Sequence, residues 1–284
     1  MHPKQAVKKI YTLAKNQAVS FFGSRLISVY LIGSLAHGGF SEVSSDIDIA
    51  FILDNKDILE EDWDMVNNIN KDIKATGLEF SKKLSIFWTN VTTISNKITS
   101  GGFPPPTKKD GLFPPFDILD LYQNGVLIYG KDIKSNILVP NEENLFIAGT
   151  EFLLSYVDNK KRNECLSNVD IFLELNPVDI SKNILFPIRL LFTLFTSKIG
   201  SNGDAALYFL SKKDTSEKLK ELINQAIYIR NSAQYHTETL KELFPNLNSL
   251  YINLIDLHIK KMEELQNLTY VQMLKDWRSR ILII

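Results

Sequence analysis

The chain has 284 residues, 44% hydrophobic and 23% charged, with 32 Lys and Arg against 33 Asp and Glu and a net charge of -1. That length holds two modest domains, and the balanced charge excludes a duplex-wrapping protein, which needs a clustered positive excess. Cys165, the one cysteine, excludes an intrachain disulfide or a paired-cysteine metal site, and His2, His37, His236 and His258 form no metal-ligand spacing. No apolar run near the amino terminus reads as a secretory signal. The apolar run 184–199 is short for a bilayer and is interrupted by Pro187, Arg189 and Lys198. The expectation is a cytoplasmic protein.

In chain order, Val7, Ile10, Leu13, Ala14, Ala18 and Phe21 recur at helical spacing and predict a helix over 2–22, ended by Gly23. Residues 29–32 read as a buried strand closed by Gly33-Ser34. Residues 47–53 form a second strand, 57–75 a helix and 84–89 a third strand. From Gly101 to Pro115 five prolines (Pro104, Pro105, Pro106, Pro114 and Pro115) predict a loop, because each lacks a donor and restricts its predecessor. A short helix over 116–124 and a strand over 126–129, closed by Gly130, follow. Beyond Pro140 helical periodicity dominates, with one long closing helix over about 249–279. The apolar tail Ile281 to Ile284 is expected to dock. The fold class is α+β in residues 1–139 and an all-α helical bundle in residues 140–284.

The chemistry concentrates in the stretch from Gly33 to Asp48. Gly33 permits a tight turn after a strand, and Ser34 offers a hydroxyl and an amide N–H to an anionic oxygen. Asp46 and Asp48, two apart at the start of a strand, share one face. Two carboxylates together call for a cation, and Mg²⁺ binds through one or two carboxylates plus substrate phosphates. Either piece alone is an ordinary turn or strand edge; their order, each preceded by an apolar strand, points to a phosphate-and-metal site.

These residues resemble the nucleotidyltransferase superfamily that includes DNA polymerase β, in which Gly-Ser is followed at a distance by Asp-x-Asp. The Gly-Ser-x-x-x-Gly-Gly spacing and Ser45 before Asp46 are similar to the adenylyltransferases that modify streptomycin and spectinomycin. The run from Asn183 to Gly200 resembles their C-terminal domain. The resemblance implies a polymerase-β-like domain, a mixed sheet flanked by helices, in residues 1–139, and a helical domain that closes on nucleotide in 140–284, with ATP in the cleft between them. It assigns Asp46 and Asp48 to catalysis and Mg²⁺, and Gly33, Ser34, Ser45 and Arg189 to ATP. The family's third carboxylate, a base on the strand after Asp-x-Asp, matches Ser85, unless a shifted register brings Glu79 there. Its nucleotide-contacting lysine matches Asn202.

Arg189 interrupts an apolar helix and, if buried, needs an anion, either a phosphate or a structural carboxylate. Residues 142–181 hold eight acids against three bases. Where that excess faces a cleft it attracts a cationic acceptor, with Glu174 and Asp179 the expected contacts. The reading is a Mg²⁺-dependent enzyme that moves AMP from ATP to a hydroxyl of a small, cationic acceptor such as an aminoglycoside. It involves no duplex nucleic acid and no membrane, and the protein is a monomer or weak homodimer. The alternatives are a nucleotide-binding regulatory protein with a decayed site, as Ser85 and Asn202 suggest, or transfer to a protein or tRNA.

Overall fold

The computed structural model describes residues 3–98 and 110–282. Its contacts divide into two compact units, residues 1–144 and 145–284.

The first unit opens with α1 (Pro3–Phe22), which Gly23 terminates at a φ of +53°, followed by β1 (Leu26–Leu31), β2 (Ile47–Leu53), α2 (Glu60–Ala75) and β3 (Leu84–Asn90). It continues with the short α3 (Val91–Asn96), α4 (Pro115–Asn124) and β4 (Val126–Gly130). The strands form one sheet in the order β3-β2-β1-β4, parallel between β2 and β3 and antiparallel elsewhere. The predicted loop falls largely on 101–109, outside the described residues. Its last proline, Pro115, takes the first position of α4, where a missing N–H costs nothing.

Strand alternation assigns the two sheet faces. Ile47, Ile49, Phe51 and Leu53 of β2 join Leu84, Ile86 and Trp88 of β3 in one core with α1 and α2 residues such as Ile10, Ala14, Ile69 and Ile73. Ala50 and Ile52 point the other way and pack with Tyr30, Ile94, Phe113, Ile118 and Leu121. Both faces are therefore covered, which explains the nearly continuous apolar runs of β1 and β2. The start of α2 falls at Glu60 because Leu59 is extended and donates its N–H to the Asp62 carboxylate, which also binds Arg25 in a two-pronged pair.

The second unit is helical among the described residues. The helix α5 (Glu142–Phe152) runs into it, and α6 (Lys160–Ser167), α7 (Val169–Leu173), α8 (Pro177–Thr196), α9 (Asn202–Ser211) and α10 (Glu217–Ser232) follow. A proline inside α8, Pro187, cannot bond the carbonyl of Asn183 one turn earlier. The buried Tyr251 hydroxyl donates to that oxygen at 3.0 Å, and Arg162 donates to Tyr251 and to the Asn183 side chain. The helix stays continuous because the freed acceptor is satisfied from outside.

The single long closing helix expected over 249–279 is instead two helices, α11 (Thr237–Glu264) and α12 (Leu268–Leu282), packed on each other. Gln266 adopts a left-handed φ of +56°, and the Asn267 side chain caps the new helix by accepting the Tyr270 N–H at 3.1 Å. Apolar periodicity runs through both helices, so it hides the break. Ile281 is buried, as expected of the tail, while Ile283 and Ile284 lie outside the described residues. No helix among the described residues is long and apolar enough to cross a membrane.

Candidate nucleotide site

The first unit's chemistry gathers where β1 ends and β2 begins. The Ile32 N–H donates to the Asp48 carbonyl at 3.1 Å, which holds the outgoing and returning chain together. Gly33 then turns with a φ of +64°, and a tight turn follows in which the Ala36 and His37 N–H groups donate to the Gly33 carbonyl. A side chain at position 33 is excluded: a Cβ there would lie 2.3 Å from Asp48 Oδ2. Glycine is required both for the left-handed turn and for the approach of the carboxylate.

Beyond the turn, the loop is fixed from within. Ser45 is 5% exposed, and its Oγ accepts the Ser41 N–H while its own N–H donates to the Ser41 carbonyl. Lys83 clamps the loop from outside by donating to the carbonyls of Glu42 and Val43. The Ser45 hydroxyl thus orders the loop that leads to Asp46.

Asp46 is exposed and Asp48 half-buried. β2 begins at Ile47, so Asp46 just precedes it, while Asp48 by parity belongs to the sheet face of Ala50 and Ile52, that of α4. The parallel register sets Ser85 beside Asp48, and alternation along β3 gives it the same face. Glu79 lies in the turn before β3, off the strand. The position next to the Asp-x-Asp pair is therefore filled by a hydroxyl.

Ser34 directly follows the Gly33 turn. Its Oγ is buried without a hydrogen-bond partner among the described residues, a costly condition unless a ligand supplies one. The chemistry of two carboxylates and this hydroxyl beside a turn would suit a divalent cation together with a phosphate. No cluster of three or more His, Cys, Asp or Glu able to hold a metal occurs among the described residues. A cation here would complete its shell with phosphate and water, as Mg²⁺ does.

Sequence reasoning missed Asp120. It stands on α4 among the buried Ile118, Leu119 and Leu121, and Oδ2 accepts the Gly33 N–H at 2.5 Å. The available signal was an acid inside an apolar helical turn.

In the second unit Arg189 lies on the exposed side of α8, so the burial that would have demanded an anion does not hold. The helical period turns Ile184, Leu185, Ile188 and Leu191 inward and leaves position 189 outward. Arg230 on α10, half-buried, sits within electrostatic reach of it: burial, and then the Arg189 charge, push the Arg230 guanidinium below its ordinary value. Asn202 begins α9 and is half-buried. Asp179 lies in the first turn of α8, where its N–H donates to the capping Asn176 side chain and its carboxylate accepts that side chain's amide at 2.7 Å, and Glu174 is exposed at the end of α7. Part of the acidic excess is also engaged locally, Asp158 by Arg280, Glu164 by Lys160 and Glu151 by Tyr270.

Residues 13–91, which span the turn, both aspartates and β3, match the family model of the nucleotidyltransferase domain. The first unit thus carries a nucleotidyltransferase domain. No curated protein matches the sequence. Among solved structures, the chain is similar to spectinomycin adenyltransferase AAD(9) from Enterococcus faecialis, determined with ATP and spectinomycin. The identity is 14% and the TM-score 0.53, over 84% of this chain and 98% of that one. The likeness in fold extends over both the sheet-containing and the helical part.

Proposed function

We propose that the protein transfers AMP from ATP to a hydroxyl of a small, cationic acceptor of the aminoglycoside or aminocyclitol class, with Mg²⁺. The observation that carries this reading is the Ser34 hydroxyl, buried with no partner among the described residues, beside the Gly33 turn, against which the Asp48 carboxylate is pressed. The nucleotidyltransferase domain match and the fold of an adenyltransferase support it.

Asp46 and Asp48 would hold the cation, which when bound neutralises phosphate charge and acidifies an attacking hydroxyl. The Ser34 hydroxyl would donate to a phosphate oxygen, and Gly33 leaves room for the Asp48 carboxylate beside it. The acceptor oxygen forms a bond to the α-phosphorus as the bond to the bridging α–β oxygen breaks, and pyrophosphate leaves. A serine hydroxyl is no base at neutral pH, so with Ser85 beside Asp48 the acceptor proton passes to water or to the exposed Asp46 carboxylate. Arg189 and Asn202 are proposed as nucleotide contacts, and Glu174 and Asp179 as acceptor contacts, on the resemblance alone.

Asp48→Ala tests the reading: it is expected to abolish Mg-ATP binding and AMP transfer, and unchanged activity would refute it. Ser85 beside Asp48 favours a second reading, a nucleotide-binding protein whose catalytic site has decayed. Incubation with labelled ATP and a panel including spectinomycin and streptomycin separates the two. Nucleotide binding without product, with activity gained in Ser85→Glu, supports decay.

A further inference from the structure

Asp120 is 4% exposed, an unusual place for a carboxylate. Burying an acid is costly unless its oxygens accept hydrogen bonds. Both do: Oδ1 takes the Asn124 side-chain amide at 2.7 Å and Oδ2 takes the Gly33 N–H. The Asn124 bond is local to one helical turn. The Gly33 bond spans 87 positions of sequence and ties α4 to the turn between β1 and β2.

The donor's identity gives the contact meaning. Gly33 is the residue whose Cα faces Asp48 Oδ2, and it directly precedes Ser34, whose hydroxyl has no partner among the described residues. A left-handed glycine has no side chain to hold it, so its peptide plane is free to rotate unless the amide is anchored. An acid is a poor direct contact for a phosphate, since like charges repel. Nor does Asp120 join a metal-holding cluster among the described residues.

We propose that Asp120 is a positioning residue of the nucleotide site: by accepting the Gly33 N–H it sets the Gly33–Ser34 turn so that the Ser34 hydroxyl meets the triphosphate. The inference rests on the nucleotide-binding reading above. It assigns Asp120 no contact with substrate.

The test compares D120A and D120N with the wild type. One readout is hydrogen exchange of the Gly33 amide without nucleotide; the others are Mg-ATP affinity by calorimetry and the split between KM and kcat. Loss of one charge-assisted bond should speed Gly33 exchange and weaken Mg-ATP about tenfold in D120A, with KM moving more than kcat. In D120N the amide oxygen accepts the same N–H while Asn124 turns to offer its own oxygen. Affinity and exchange should then return to within about threefold of wild type. Wild-type exchange or wild-type affinity in folded D120A overturns the proposal, as does D120N no better than D120A. If D120A fails to fold, D120N decides: a slow Gly33 amide with near-wild-type affinity upholds the anchoring, and weakened affinity overturns it. A wild-type protein that binds no Mg-ATP refutes the nucleotide-binding reading instead, and Gly33 exchange still decides whether Asp120 anchors the turn.

Discussion

Replacing Gly33 by alanine perturbs the proposed site in two separable ways. The backbone at φ +64° is left-handed, and holding a Cβ-bearing residue there costs about 1–2 kcal/mol of stability. The new Cβ would also meet Asp48 Oδ2 at 2.3 Å and its Cγ at 3.1 Å, so the carboxylate must retreat by roughly 1 Å to reach ordinary contact. A displacement of that size in a reacting constellation costs about a hundredfold in rate. Gly38 supplies the control. It is also left-handed, at φ +84°, but nothing lies within 4 Å of a Cβ placed there. Gly38→Ala should therefore lower stability by a similar amount while leaving Mg-ATP affinity nearly unchanged. Urea unfolding, calorimetric titration with Mg-ATP and a labelled-ATP transfer assay on both variants measure the two effects. A Gly33→Ala protein with wild-type affinity and transfer, or a Gly38→Ala protein equally impaired in binding, would refute the reasoning.

Tyr251→Phe leaves the Asn183 carbonyl, freed by Pro187, and the Arg162 guanidinium short of a partner. Unfolding in urea should show a loss of about 1–3 kcal/mol, and an unmoved midpoint would contradict this account of α8. Asp62→Ala strips the half-buried Arg25 of its two-pronged carboxylate and Leu59 of its N–H acceptor; the same measurement should register about 2–3 kcal/mol. His258 is fully buried, with its Nδ1 2.8 Å from the Thr150 hydroxyl, and burial pushes its pKa down to about 3. Between about pH 6.5 and 3 the unfolded chain takes up a proton that the folded chain refuses, so stability falls as pH falls through that window, by up to about 1.4 kcal/mol per unit. His258→Gln should flatten that slope in thermal melts across pH; an unchanged slope would show that other groups set it.

Nearly every strand and helix of the first unit is readable in the chain because its signal is local. Alternation at 47–53 and the glycine after 29–32 need no distant partner to be recognised. Gly33-Ser34 and Asp46-x-Asp48, on which the proposed site rests, stand out in the chain as two short local motifs. The division between α11 and α12 was hidden because its cause is one left-handed residue, Gln266, with unchanged apolar periodicity on both sides. Arg189 misled for a different reason. An arginine among apolar neighbours in sequence looks buried, but the period of 3.6 residues carries it to the open side of the helix.

Residue order alone was enough for the two-part α+β and helical architecture, because backbone period and turn chemistry act over a few positions. Folding in three dimensions was needed to reveal that Ser85 stands beside Asp48, that Ser45 braces its own loop, that Asp120 reaches Gly33 from 87 positions away and that Arg230 comes near Arg189. Those relations depend on strand register and helix packing. Both minimise free energy over the whole core, so no local window of sequence contains them.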